Sequence, residues 1–558
     1  MGAVTYVSDF LYNAWTLLRN QILRLRRPQP LYALLDLSGP YPEHRTGRFR
    51  WIRQPQSIDD LREQLKQIAG SDAAGVVLTM SSLQAGLASV QSMRSALAGL
   101  RRAGKRVVAY VPEADMRTYY LASAADTIVM PEAGALDIAG LRAEMTFFKD
   151  ALDRLGVAGA FEQMGEYKGA AEPFTRGAMS EAVRESLSAV LDSTFAEAIA
   201  ETAEARGIEP AALRAAVDRA PLSAAEARAA GLVDGILFED ELPRFLQTPP
   251  RLPPVILPWT LARRRLQKPL RWRAGERVIA MIGVRGIIQM GESRNRPPLP
   301  IPFLGGAATG HATVARAFRV VERNPLFAGV ILSIDSPGGS ALASDLIWRE
   351  VSRVNRTKPV VAYLGNVAGS GGYYVAVGAS RIIAQATTLT GSIGVIGGKF
   401  TVRGLATRIG VNREILARGE AATMASPFVS YSAEDRRRLR RHMEETYDRF
   451  VSRVAEGRRM PREDVLAVAR GRVWTGRQAR ERGLVDRLGD FPTAVAAAKE
   501  LTGIPDSRGV AVVPVRPPRA VGLRAPAVLT ELGDVWTALS SLFVERVLAL
   551  APWEILFR

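Results

Sequence analysis

One serine sits where the chain must turn sharply. Ala368-Gly-Ser-Gly-Gly372 lies between an apolar, β-branched run and a helix-like pattern. It is one residue away from the G-x-S-x-G elbow, in which a strand-to-helix turn exposes a nucleophilic serine. Ser370 is therefore the candidate nucleophile. A second glycine-rich turn, Asp335-Ser-Pro-Gly-Gly-Ser340, follows the apolar run Val330–Ile334. Glycine lets backbone N–H groups approach a substrate carbonyl. The amides of Gly338, Gly339 and Gly371 are thus candidate oxyanion donors, each typically worth a few kcal/mol. Taken alone, a glycine pair is only a tight turn.

The usual helpers of a serine are scarce. There are three histidines, His44, His311 and His442, and no cysteine. Thiol catalysis, disulfides and Cys-ligated metal are excluded. The histidines form no HExxH pair, which argues against zinc. His311 and His442 lie in Arg-rich, helix-like stretches and read as surface residues. Gly398-Lys399 lacks the first glycine of a phosphate-binding loop. The reading is a site with no metal and no cofactor.

A candidate base emerges when the chain is compared with itself. Gly75-Val-Val-Leu matches Gly329-Val-Ile-Leu, Tyr119-Tyr120 matches Tyr373-Tyr374, and Pro173-Phe174 matches Pro427-Phe428, all at an offset of 373 − 119 = 254. Ala-Arg-x-x-Gly-Leu-Val-Asp recurs at 227–234 and 479–486. This last pair is offset by 479 − 227 = 252, and so nearly constant an offset marks an internal duplication. At this offset Ser370 corresponds to Met116, and Lys168 to Ala422. One half has the serine without the lysine, and the other the lysine without the serine. Only eight lysines occur among the 74 basic residues, and Lys168 stands in the small-residue stretch Gly165-Glu-Tyr-Lys-Gly-Ala-Ala. From this stretch alone a surface lysine is the better reading.

The elements that position these residues alternate. Val76–Leu78, Val107–Val111 and Ile128–Met130 read as strands separated by helical patterns, which predicts βαβ units and a mostly parallel sheet in each half. The 558 residues divide into an amphipathic segment 1–29, a first repeat 30–248, a Pro/Arg-rich linker 249–275, a second repeat 276–503 and a tail 504–558. Residues 1–18 are apolar but interrupted, and they lack a cleavage site. They read as a helix lying on a membrane or docked on the protein's own core. Residues 528–550 show apolar residues at helical spacing. Residues 359–380 are uncharged, but glycines break them, so no membrane helix is placed there. The net charge is 74 − 56 = +18. No nucleic-acid signature accompanies it, whereas an anionic membrane surface is a compatible partner. Attachment is expected to be peripheral, at a bacterial cell membrane, with the side undetermined.

Together, Asp335–Ser340, Ser370-Gly-Gly-Tyr-Tyr374, Leu389-Thr-Gly-Ser-Ile-Gly394 and Tyr167-Lys-Gly-Ala-Ala-Glu-Pro-Phe174 resemble the signal peptide peptidase A family, long duplicated form, of the serine-lysine S49 peptidases. The resemblance spans roughly residues 30–503. It implies an α/β chain of two tandem Clp protease/crotonase-like domains and a homo-oligomer. It also implies hydrolysis of remnant signal peptides and other short apolar peptides through an acyl-enzyme. Position by position it makes Ser370 the nucleophile, Lys168 the general base and Ser392 the residue that orients the lysine. A lysine near its ordinary pKa of ~10.4 cannot accept a proton at neutral pH, so this role requires burial. Glu166 and Glu172 are expected to point away from it. The competing reading is a crotonase-type acyl-CoA enzyme, which uses the glycine pair but leaves the divided Ser/Lys pattern unexplained.

Overall fold

The computed structural model describes residues 12–22, 29–45, 55–248, 252–267, 277–301, 304–515 and 548–550. Contacts divide the chain into two compact units. One comprises Met1–Arg142 and Thr194–Arg273, the other Ala143–Ser193 and Ala274–Ile555. The segment 143–193, which belongs to the first repeat by sequence, therefore packs in the second unit.

The first unit is built on a six-stranded sheet. Its order is Gly235–Ile236, Thr127–Met130, Arg106–Tyr110, Gly75–Thr79, Leu31–Asp36 and Val255–Pro258, and every neighbouring pair is parallel. The central strands are short apolar runs buried on both faces, as parallel strands under helical crossovers must be. Part of the expected linker is not a linker. Val255–Pro258 adds to the edge of this sheet beside Leu31–Asp36, and a helix, Trp259–Arg265, follows. Proline is tolerated at such an edge because the missing N–H faces no partner.

The second unit repeats the plan. Its main sheet runs Val473–Thr475, Leu389–Gly391, Val360–Gly369, Phe327–Ser336, Val278–Arg285 and Val512–Pro514, with Arg381–Ala384 and Arg487–Leu488 branching from Val360–Gly369. Thr127–Met130 and Arg381–Ala384 are offset by 381 − 127 = 254, and so are the helices Lys149–Leu155 and Arg403–Arg408 at their first residues, 403 − 149 = 254. The uncharged stretch 359–380 is the strand Val360–Gly369 followed by the helix Gly371–Ala376. A second sheet carries Arg294–Ile301, Leu304–Gly310, Ile287–Gln289, Gly338–Ser340, Leu548–Leu550, Val395–Thr401 and Ala158–Met164 in that order. The expected helix at 528–550 lies outside the described residues up to 547. Its last three residues form a strand instead, because they find open backbone partners on both sides.

The recurring Gly-Leu-Val-Asp has a structural cause that is the same in both units. Asp234 accepts the N–H of Ile128 at 2.6 Å and pairs with Arg206 at 2.8 Å. Asp486 accepts the N–H of Ile382 at 2.7 Å and pairs with Arg458 at 2.6 Å. The hydroxyl of Tyr119 donates to the Leu232 carbonyl, and that of Tyr373 to the Leu484 carbonyl. Each cluster joins a strand, Thr127–Met130 or Arg381–Ala384, to the long helix of its repeat and to the closing turn. Arg458 is 8% exposed, and removing its carboxylate leaves a poorly hydrated cation. Asp486→Ala is expected to destabilise the chain by about 2 kcal/mol, since hydrogen bonds to charged groups contribute roughly 1.5–3 kcal/mol. A urea midpoint equal to that of the parent would contradict this account.

Candidate active site

Ser370 stands at the end of Val360–Gly369 and caps the helix Gly371–Ala376. Its backbone is left-handed, with φ 54°. Such a conformation is uncommon for a side-chain-bearing residue and is held only by surrounding structure. Here the Ser370 N–H donates to the Gly391 carbonyl at 2.8 Å, and its own carbonyl accepts the Tyr374 N–H at 2.8 Å. The result is a strand-to-helix elbow of the kind the glycines suggest, although the serine is buried.

Lys168 arrives from the other half of the sequence. It follows the strand Ala158–Met164 and precedes the short turn Gly169–Ala171. Ala158–Met164 pairs antiparallel with Val395–Thr401 along its whole length, from Met164 opposite Val395 to Ala158 opposite Thr401. That register fixes where the following loop can reach. Lys168 Nζ lies 2.6 Å from Ser370 Oγ, 2.9 Å from Ser392 Oγ and 2.7 Å from the Ser392 carbonyl oxygen. Ser392 also has a left-handed backbone, φ 49°. The structure thus brings Ser370, Lys168 and Ser392 together within the single chain.

The amine is fully buried. Burial alone pushes its pKa well below the ordinary lysine value, because the ammonium loses hydration. Glu166 turns to Arg470, and the carboxylate of Glu172 accepts the Ser180 N–H. Tyr167 packs against Arg472, and Phe174 against Phe148 and Phe400.

The glycine turn meets the elbow. A Cβ on Gly371 would stand 3.2 Å from both the Gly338 Cα and the Gly339 nitrogen. Gly338 has φ 105°, and a Cβ on Gly339 would overlap the Ile288 carbonyl oxygen at 2.0 Å. Only glycine fits this approach. Gly338 N–H donates to Ser336 Oγ at 3.1 Å, so it is not the free oxyanion donor expected from the sequence, and that hydroxyl in turn donates to the Gly286 carbonyl. Ser340 caps the following helix by accepting the Ala343 N–H. These roles of Ser336 and Ser340 do not follow from the sequence reading, though both stand inside the Asp-Ser-Pro-Gly-Gly-Ser motif. Nor does that of Arg470–Arg472, whose distance in sequence hides its contact with the lysine loop. The histidines are elsewhere: the buried His44 is 2.6 Å from Asp59, His311 accepts the Gly291 N–H, and His442 lies exposed on a helix. Among the described residues, no group of His, Asp and Glu is arranged to hold a metal ion.

Two parallel α/β units, with a serine elbow and a buried lysine in one of them, define a class that comparison with known proteins makes specific. The family model "Peptidase family S49" matches residues 99–248 and 352–505, more than half of the chain. The chain is 31% identical to "Serine protease SPPA, chloroplastic" of Arabidopsis thaliana, over 83% of this chain and 67% of the relative. It is 30% identical to "Protease 4" of Haemophilus influenzae, over 84% and 75%, and to "Protease 4" of Salmonella typhi, over 84% and 78%. Among solved structures, a ClpP1 mutant from Listeria monocytogenes aligns with 38% of this chain and 94% of its own, at 12% identity and a TM-score of 0.25. The chain belongs to peptidase family S49 and is a serine peptidase.

The buried amine has a stability consequence. Its folded pKa lies below the unfolded value, so between the two the unfolded chain binds more protons. The penalty is greatest below the folded pKa and vanishes as pH rises through about 10.4. Lys168→Met is therefore expected to be more stable than the parent at neutral pH, with the difference shrinking towards alkaline pH. Parallel stability–pH curves for the two proteins would rule this out.

Proposed function

We propose that the chain is a Ser/Lys endopeptidase that cleaves short apolar peptides, remnant signal peptides among them, through an acyl-enzyme. The observation that carries the proposal is the 2.6 Å approach of a fully buried lysine amine to Ser370 Oγ. As a neutral amine, Lys168 takes the hydroxyl proton as Oγ attacks the peptide carbonyl. The developing oxyanion is met by the amides of Gly339 and Gly371, with the Gly338 turn as their support. The ammonium then protonates the leaving amine, and the regenerated base activates water to release the acyl group. Ser392 keeps the amine aimed by accepting from it through its carbonyl oxygen.

Substrate is read as an extended strand. The edge of Gly338–Ser340 accepts an extended segment in this chain itself: Leu548–Leu550 lies antiparallel to it, with Leu550 opposite Gly338. Main-chain pairing of this kind gives affinity with little demand on side chains. The acyl-CoA alternative uses the glycine turn but gives Lys168 no role.

Ser370→Ala and Lys168→Ala are each expected to abolish nearly all turnover of an apolar fluorogenic peptide. Lys168→Arg is expected to fail as well, because guanidinium stays protonated. Turnover should rise with pH through a value below that of an ordinary lysine, since the base works only unprotonated. Fluorophosphonate should label Ser370. Turnover by Lys168→Ala within about tenfold of the parent, a barrier change of only ~1.4 kcal/mol, would overturn the assignment.

We further propose peripheral attachment to an anionic membrane. Among the described residues, no helix is long and apolar enough to cross a membrane. The helix over 12–22 leaves Trp15, Leu18 and Ile22 exposed, while Arg19 donates to the carbonyls of Arg264 and Leu266. Exposed apolar residues beside cations suit an interfacial helix. Trp15→Ser with Leu18→Ser should reduce co-sedimentation with phosphatidylglycerol vesicles, and high salt should weaken binding of the parent. Binding indifferent to both changes would exclude this helix as the contact. Assembly into a homo-oligomer is part of the proposal, tested by sedimentation velocity.

A further inference from the structure

The lysine loop and the Ser392 turn are both held by one tripeptide far away in sequence, Arg470-Gly471-Arg472. The Tyr167 N–H donates to the Arg470 carbonyl at 3.0 Å, the Gly471 N–H to the Ile393 carbonyl at 2.7 Å, and the Ser392 N–H to the Arg472 carbonyl at 2.7 Å. Successive residues therefore bond, in turn, to the neighbour of Lys168 and to the Ser392 turn. The tripeptide can do this because Arg470 and Gly471 are both left-handed, φ 55° and 82°. A Cβ on Gly471 would come within 2.6 Å of the Lys168 nitrogen and Cβ, so the two backbones touch.

Side chains close the same junction. The Arg472 guanidinium lies 4.9 Å from the Tyr167 ring centroid and 4.8 Å from that of Trp474. It pairs with Glu185 at 2.8 Å and donates to the Tyr167 hydroxyl at 3.3 Å. Tyr167 donates to Glu185 at 3.1 Å, and Arg470 pairs with Glu166 at 3.3 Å. Isolated surface ion pairs contribute little. Here an always-charged planar group is stacked on one aromatic of the lysine loop and on another of the strand Val473–Thr475, and a carboxylate fixes its orientation. The loop it grips has glycine on either side of Lys168, at 165 and 169, and so has little stiffness of its own.

We propose that Arg472 is a positioning residue for Lys168, clamping the lysine loop against the Ser392 turn so that the amine stays aligned on Ser370 and out of water. It acts through Tyr167 and the backbone and does not touch the reacting atoms. Among the described residues the charged groups on and against the loop include Glu166, Glu172, Glu185, Arg470 and Arg472, whereas the bonds of Nζ itself go to Ser370 and Ser392. The proposal rests on the reading of Lys168 as the base.

The test is Arg472→Ala, Arg472→Lys and Tyr167→Leu in the full chain, with Lys168→Ala alongside, using hydrolysis of an apolar fluorogenic peptide across neutral to alkaline pH. Arg472→Ala should lower kcat by roughly tenfold to a hundredfold, the scale of a small misplacement of a reacting group, with KM little changed. Its acid-side limb should move to higher pH, because a wetter amine titrates nearer its ordinary value. Arg472→Lys should recover part of the rate: it keeps a cation for Glu185 but not the planar stack. Tyr167→Leu removes the stack from the other side and should shift the limb the same way. It decides the matter if Arg472→Ala does not fold. An unmoved limb in the folded variants overturns the proposal, whatever the loss in kcat, because a merely structural role would leave it in place. Turnover retained by Lys168→Ala would instead overturn the base assignment, a separate outcome.

Discussion

A single amine without water is the constraint around which the second unit is arranged. An ammonium transferred from water to a dry interior is strongly disfavoured unless it is paired, and among the described residues no carboxylate is bonded to Lys168 Nζ. Its hydrogen bonds go to two serines and a carbonyl. This environment tolerates a neutral amine far better than an ammonium. Positions that look costly one by one serve this arrangement. Ser370 and Ser392 take left-handed backbone conformations, and Gly339, Gly371 and Gly471 lie so close to neighbouring atoms that side chains would collide. Strain of this sort persists where packing over-determines it, and here the packing is the pair of sheets that converge on the elbow.

Duplication explains how such a site could lose symmetry without losing its parts. Each unit keeps a buried Tyr, an Arg–Asp pair and a turn that closes against its own strand, Thr127–Met130 or Arg381–Ala384. These hold the fold and are equally needed in each. On the proposed mechanism the positions of nucleophile and base are free to diverge, because a second copy of either adds nothing once one site is assembled. Met116, at the place of Ser370, is buried in an apolar core. The loop around Ala422, at the place of Lys168, is instead pinned by Lys399, whose amine donates to the carbonyls of Met424 and Ser426.

Much of this is legible in the sequence because it is local. Apolar β-branched runs mark the parallel strands within a residue or two: Val76–Leu78 lies within Gly75–Thr79, and Ile128–Met130 within Thr127–Met130. Glycine pairs mark turns, and an internal offset marks the repeats. What is not legible is long-range. Nothing near Pro253, Pro254 and Pro258 announces a sheet edge, because the partner strand Leu31–Asp36 lies more than two hundred residues earlier. The strand Leu548–Leu550 hides in a helical spacing for a similar reason, its pairing being set by open backbone on Gly338–Ser340 and Val395–Thr401. Arg472 carries no motif at all.

The division of the chain into units also bears on why the two halves of the sequence cannot be separated at the proline-rich stretch between them. Ala143–Ser193 belongs by repeat to the first half and by contacts to the second unit. Its strand Ala158–Met164 forms the edge of the sheet that holds Gly338–Ser340, and Val395–Thr401 is matched to it over seven residue pairs. A piece beginning after the prolines would keep Ser370 and the glycine turn but lose that edge strand and the loop that follows it. Val395–Thr401 would then expose a row of unpaired backbone groups, a liability in any sheet. The elbow, with Ala422 at the place of Lys168 in its own repeat, would have no amine to meet. The packing of this one segment in the second unit thus does two things at once: it completes a sheet and it brings Lys168 to Ser370. A residue that served only catalysis could be lost with little structural cost. A lysine carried on a strand that the fold itself needs stays tied to the rest of the chain.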